Sequence, residues 1–187
     1  MKVKRILENN LPVYSGNITS WAEWGEIKRS GKWDPTRSHY FSCRDNELTN
    51  IEGAPRKVFG TFACSRNKIT SLKGGPLEVS EDYFCVMNKL TDLTGVAYYI
   101  ADSFDCSKNK ITSLQNVHKQ IKNARGLTFL ENPIKSNILG VLLIKGILNV
   151  NGDSPAFAIL RKHLKTLDVL ECQEELISAG YKEYAKL

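Results

Sequence analysis

Cysteine is the residue type in this chain most able to do chemistry. Four of the five, Cys43, Cys64, Cys85 and Cys106, each follow the last by 21 residues. Zinc asks for close pairs such as C-x2-C brought together with further ligands. One thiol per 21 residues supplies no such pair. Disulfides between neighbouring units are left open by spacing alone, because adjacent strands lie about 5 Å apart. A thiol nucleophile needs a base, and His118 with Cys106 is the pairing that comes to hand, yet that cysteine is expected to point into a core. The description that fits best is a small buried hydrophobe. The three histidines, His39, His118 and His163, stand one to a region, none at ligand spacing from another. Gly74-Gly75-Pro76 reads as a turn, since the lysine and hydroxyl of a phosphate-binding loop do not follow it. No pair of carboxylates can be singled out from order alone. The expectation is a protein that is not an enzyme, with no cofactor and no metal site.

The elements that carry these thiols keep the same step. Asn46, Asn67, Asn88 and Asn109 lie three places behind the cysteines, and Thr49, Thr70, Thr91 and Thr112 three further on. Aromatics precede the thiols at Phe41, Phe62, Tyr83 and Phe104, and aliphatics follow at Leu48, Ile69, Leu90, Ile111 and at Ile51, Leu72, Leu93, Leu114. Val58, Val79 and Ile100 form one more apolar column, which Ile121 is expected to continue. Alternation places aromatic and thiol on one face of a short strand. A single unit cannot bury that face alone, so a fixed period predicts stacked parallel strands whose equivalent positions form inward columns. Asparagine, with donors and an acceptor, suits the backbone groups freed where each strand turns away. A fifth, irregular unit follows as Leu127–Asn132, with Phe129 in the thiol slot. Its asparagine comes 23 residues after Asn109, which implies a two-residue insertion near residues 123–125.

The run aromatic-x-Cys-x-x-Asn-x-Leu/Ile-Thr-x-Leu/Ile resembles a leucine-rich repeat. Over residues 40–134 it is similar to the short leucine-rich-repeat proteins of bacteria and tailed bacteriophages, whose units read "CSxNxLTSLxGxPxxV". Residues 172–187 resemble the helical tail of the phage members. The resemblance implies an α/β repeat: a leucine-rich-repeat solenoid with short parallel strands and capped ends. It implies no catalytic residues. It also suggests an accessory product that binds a host protein, in the host cytoplasm if phage-encoded.

An open stack exposes core at its ends unless these are covered. Residues 1–39, which hold Trp21, Trp24 and Trp33, are read as the N-terminal cap, with a short helix started by Ser20. Residues 40–134 are the repeat region of about five units, and 135–187 a C-terminal helical cap. In that cap a helix is expected around Ile138, Val141, Leu142 and Lys145, then an extended piece over 147–150. A second helix should open at Ser154-Pro155 with Leu160, Leu164 and Leu167 on one face, and a third should run from Asp168 to Gly180. The net charge of +6 is spread as +3, +2 and +1 over these regions, weak evidence for nucleic acid. Ile138–Leu148 is too short to span a bilayer. No apolar stretch of signal-peptide length follows the basic Met-Lys-Val-Lys-Arg start. A cytoplasmic protein without a membrane partner is expected.

Outward strand positions then form the binding wall. The third unit stands out, since Phe84, Val86 and Met87 are apolar where water would be met. Tyr40, Arg44, Arg66, Asp105 and Lys108 surround them, a composition that suits a protein interface. The expected function is therefore protein–protein interaction through this wall. The alternative is nucleic-acid binding by exposed indoles beside Lys28, Arg29 and Lys32, helped by the row Lys68, Lys89 and Lys110. Assembly state and partner identity are not legible.

Overall fold

The computed structural model describes residues 12–187, without the side chain of Trp21. The basic start of the chain and the first part of the expected N-terminal cap lie outside the described residues. The protein is an α/β fold with a ten-stranded sheet and few helices. In chain order its elements are β1 (Val13–Asn17), α1 (Trp21–Arg29), β2 (Asp34–Ser42), β3 (Lys57–Val58), β4 (Phe62–Ala63), β5 (Glu78–Val79), β6 (Tyr83–Phe84), β7 (Tyr99–Ile100), β8 (Ser103–Asp105), α2 (Val117–Gln120), β9 (Gly126–Thr128), β10 (Asn149–Asn151), α3 (Ala156–Lys162) and α4 (Val169–Ser178). Every strand pair is parallel.

The sheet forks at β2. Phe41 and Ser42 pair with Phe62 and Ala63, opening a ladder that runs β1-β2-β4-β6-β8-β9-β10. Earlier in the same strand, Arg37 and Ser38 pair with Lys57 and Val58, opening a second ladder, β2-β3-β5-β7. Each 21-residue unit thus contributes one short strand to each ladder. The core lies between them, and Phe41, Phe62, Tyr83, Phe104, Cys43, Cys64, Cys85 and Cys106 are fully buried in it, while Cys172 is buried on α4. Successive rings form one spine, from Trp24–Phe41 at 4.9 Å through Phe62–Tyr83 at 4.9 Å to Phe104–Phe129 at 6.3 Å. Edge-on contacts of this kind add to burial about 0.5–1.5 kcal/mol per pair.

Asparagines lock the stack. The Asn88 side-chain amide donates to the carbonyls of Cys64 and Cys85, both at 3.1 Å, and its oxygen accepts from the Ile69 N–H at 3.0 Å. Asn67, Asn109 and Asn132 make the same bridges one unit away on either side or beyond. The return turns use Gly53, Gly74 and Gly95 at positive φ, and Asn116 takes that position in the fourth unit at φ 59°. A Cβ at Gly95 would sit 2.3 Å from the Lys73 nitrogen, so no other residue fits there.

Tyr83 is the one hydroxyl in the aromatic column. It is fully buried and has no hydrogen-bond partner among the described residues. Tyr83→Phe is therefore expected to stabilise the protein by about 1 kcal/mol, read as a raised urea midpoint. A lowered midpoint would mean that the oxygen is bonded in the folded protein.

Both ends of the stack are filled by aromatics from outside the repeat. Gly16 stands opposite Phe41 in the register, and the Tyr14 and Trp24 rings cover Phe41 there, with Trp24 donating to the Gly53 carbonyl at 2.9 Å. At the other end Gly152 takes the slot after β10. A Cβ on it would meet the Phe157 ring at 2.5 Å, so α3 plugs the column with a side chain the strand leaves out. The C-terminal segment then folds back, through the Tyr184 hydroxyl to the Ile134 carbonyl at 2.8 Å and the Ile138 N–H to the Tyr184 carbonyl at 3.1 Å.

Several expectations need correction. The inserted residues lie at the α2 turn, because Asn123 already pairs with Tyr99 and Ala124, not Ile121, continues the Val58–Val79–Ile100 column. Ile121 is buried all the same, as the last residue of that turn. The helix expected near Ile138–Lys145 is a 3-10 turn, Leu139–Leu143, since Lys145 is drawn into a bridge with Asn123. The extended piece that follows is β10, which adds a further rung inside the expected cap, while β2 runs across the expected boundary at residue 39. Leu167 is exposed at positive φ, beyond the end of α3, so it shares no face with Leu160 and Leu164. The other helix ends follow the sequence. Ser20 and Asp168 accept from the N–H groups of Glu23 and Glu171, and Gly180 closes α4, with the Tyr181 N–H reaching back to the Leu176 carbonyl at 2.8 Å.

Candidate functional site

The cysteines are removed from any surface site. All five are free, buried thiols, four of them sealed between rungs and Cys172 on α4, and burial pushes the Cys43 and Cys172 thiols up to about 12 and those of Cys64 and Cys85 well above their ordinary value. A thiol held neutral in an apolar column is neither nucleophile nor ligand. No group of three or more metal-ligating side chains among the described residues is placed to hold a metal ion, and no helix among them is long and apolar enough to cross a membrane. His118 does not approach a thiol as a base. Its Nδ1 is buried without a partner beside Gly140.

What remains is the outward face of the long ladder. Most of it is less open than alternation implies. Ser42, Ala63, Ser65 and Ser107 are buried, because small side chains sink between larger neighbours on strands about 4.8 Å away. The third rung differs. Phe84 and Val86 are half-buried and Met87 is 47% exposed. Together with Arg44, Ser65, Arg66 and Lys108 they line a depression of about 320 Å3. Six of the residues expected from sequence therefore meet in one place. Ser65 belongs with them, although a serine at an outward position carries no signal in the sequence.

Two of the expected residues do not join them. Tyr40 lies beside a neighbouring, more polar depression of about 510 Å3, shared with Asn17, Thr19, Ser42 and Arg44. Asn17 and Thr19 come there through the β1–β2 pairing, which carries no repeat pattern and so left no trace in the sequence. Asp105 is occupied locally, accepting from the Ser107 N–H at 2.9 Å and its hydroxyl at 2.6 Å. Its carboxylate holds the turn after β8, and it is not among the residues that line the depression.

Backbone geometry decides how the rim side chains project. Asp45, Arg66, Met87, Lys108 and Glu131, one per unit, all adopt left-handed φ between 55° and 58°. Glycine would relieve about 1 kcal/mol of steric cost at each, yet all five carry long or charged side chains. Along this column Arg66 pairs with Asp45 at 3.8 Å and Lys108 with Glu131 at 3.2 Å, leaving Met87 between two cations. Both pairs are solvent-exposed and each is worth under about 1 kcal/mol. Arg44 has no carboxylate partner among the described residues.

The aromatic N-terminal segment packs against the first rung. Trp24 is 1% exposed, wedged against Phe41 with Lys28 over its ring at 5.8 Å. Trp33 is half-buried and meets Tyr14 edge-on at 6.0 Å. Trp24 presents no open face beside Lys28, Arg29 and Lys32, while Trp33 keeps part of its surface exposed. The third indole, that of Trp21, lies outside the described side chains.

No protein-family model matches the chain, and no curated protein or solved structure is significantly similar to it.

Proposed function

We propose that the chain is a leucine-rich-repeat solenoid that works without catalysis, binding a protein partner through the concave face of its long ladder. The observation that carries this reading is the third rung. Phe84, Val86 and Met87 place an apolar floor at a surface where the adjoining units have serine, alanine or charge. Apolar residues grouped in a depression and ringed by arginine fit the anatomy of an interface anchor. The resemblance to bacterial and phage proteins makes an accessory product acting on a host protein, in the cytoplasm, the setting we favour.

A native-cell pull-down with wild type beside the Phe84→Ala/Met87→Ala double variant tests the reading. Partner affinity is expected to fall at least about 30-fold, the effect of losing an anchor worth some 2 kcal/mol. Circular dichroism should be unchanged, since both side chains lie outside the core. Retained capture by the double variant would refute the concave-face reading.

A second reading, nucleic-acid binding, draws on Lys89 and Lys110, which are exposed and have no ion-pair partner among the described residues, whereas Lys68 pairs with Glu47 at 3.1 Å. It requires that charge reversal at Lys68, Lys89 and Lys110 abolish binding, with a steep dependence on salt.

A further inference from the structure

We infer that the partner segment seated on the third rung is acidic: an apolar side chain carried beside one or more carboxylates. This rests on the concave-face reading above and names the chemistry of its ligand.

Charge selects the ligand. The floor of the depression, Phe84, Val86 and Met87, is uncharged, and every charged residue lining it is a cation: Arg44, Arg66 and Lys108. No carboxylate among the described residues lines it. Asp105, paired with Phe84 in the register, accepts from the Ser107 N–H and hydroxyl through its Oδ1. Asp45 and Glu131 reach the rim cations only from outside, at 3.8 and 3.2 Å, in pairs where every side chain is 46–64% exposed. Such contacts are weak and exchangeable. A partner carboxylate arriving from above can take over either cation in a less hydrated setting, and Arg44 is already vacant for one.

Geometry sets the size of the anchor. A space of about 320 Å3 lies at the lower end of the range for ligand pockets and holds one large aliphatic or aromatic side chain with its flanking backbone. Arg44 and Arg66 stand on one side of the Met87 rung and Lys108 on the other. An extended segment crossing the rungs meets a cation before and after its anchor. A basic segment would place like charges together at both points, which is costly where water is partly excluded.

The test uses the full-length protein, immobilised, to select from a displayed library of short random peptides. Selected peptides are expected to carry a large apolar residue with Asp or Glu within a few positions. The Arg44→Glu/Arg66→Glu variant should bind them at least about 10-fold more weakly, and the loss should shrink as salt rises. Arg44→Ala, which introduces no repulsion, should give a smaller loss of the same sign. The inference is overturned by any of four results: no enrichment over bare support, selection of basic or uncharged peptides, unchanged binding by the reversal variant, or displacement of the peptides by random single-stranded oligonucleotides. Peptides that need Phe84 and Met87 but ignore the cations would leave the concave-face reading standing and remove the acidic specificity. Peptides indifferent to both would remove both.

Discussion

Raising the pH from 7 to 10 at fixed ionic strength is expected to take about 6 kcal/mol from the folding stability, enough to bring a typical domain close to unfolding. The cause is the buried thiols. Burial raises Cys43 and Cys172 from 9.0 to about 12, and raises Cys64 and Cys85 well above 9.0. The unfolded chain loses these protons first, so their contribution is fully present below pH 9. It drains away as pH climbs from 9 toward 12. At pH 10 each of the four contributes a loss of about 1.4 kcal/mol. Urea midpoints at pH 7, 9 and 10 measure it. The Cys64→Ala/Cys85→Ala double variant, though less stable throughout, should show about half of the wild-type slope, carried by Cys43 and Cys172. A slope unchanged by that double variant would mean that the thiols are not the groups responsible.

Asn88→Ala is expected to destabilise by about 3 kcal/mol, whereas Thr91→Ala, on the same 21-residue step, should change stability by no more than about 0.5 kcal/mol. The two positions recur with equal regularity, so periodicity alone does not separate them. The hydrogen bonds do. Thr91 is exposed. Asn88 bridges two units, and its loss leaves the buried Ile69 N–H without an acceptor. The Cys64 and Cys85 carbonyls each keep one bond, from Asn67 and Asn109, which is why the effect stays near 3 rather than rising to twice that. Asn88→Asp should be worse than alanine, because it buries a charge and removes the amide donors. Equal effects at residues 88 and 91 would show that the asparagine bridges do not hold the stack together.

The sequence was most informative where one side chain repeats one environment. The aromatic, thiol, asparagine and aliphatic columns were readable because each slot sees the same neighbours in every rung. So was the floor of the depression, since apolar residues at outward positions break a pattern the other units keep. Legibility ended where a slot is filled from elsewhere. Gly16 and Gly152 carry no signal of membership, because Tyr14, Trp24 and Phe157 occupy the space their side chains would take. The rungs at β1 and β10 were therefore not visible as rungs. The insertion was misplaced for a related reason: Ile121 is apolar and buried, so it imitates the column residue that is in fact Ala124. At the site, side-chain type predicted which residues face outward but not which are already engaged, as Asp105 shows.

One measurement bears most directly on whether aromatics and thiols are sealed inside while the third rung stands open. Hydroxyl-radical footprinting of the native protein, read residue by residue by mass spectrometry, compares Met87 at 47% exposed with Cys43, Cys64, Cys85 and Cys106 at 0%. The account predicts rapid oxidation of Met87, measurable modification of Phe84, and cysteines that stay protected until denaturant is added. Cysteines oxidised in the native state as fast as Met87, or a Met87 as protected as they are, would contradict it.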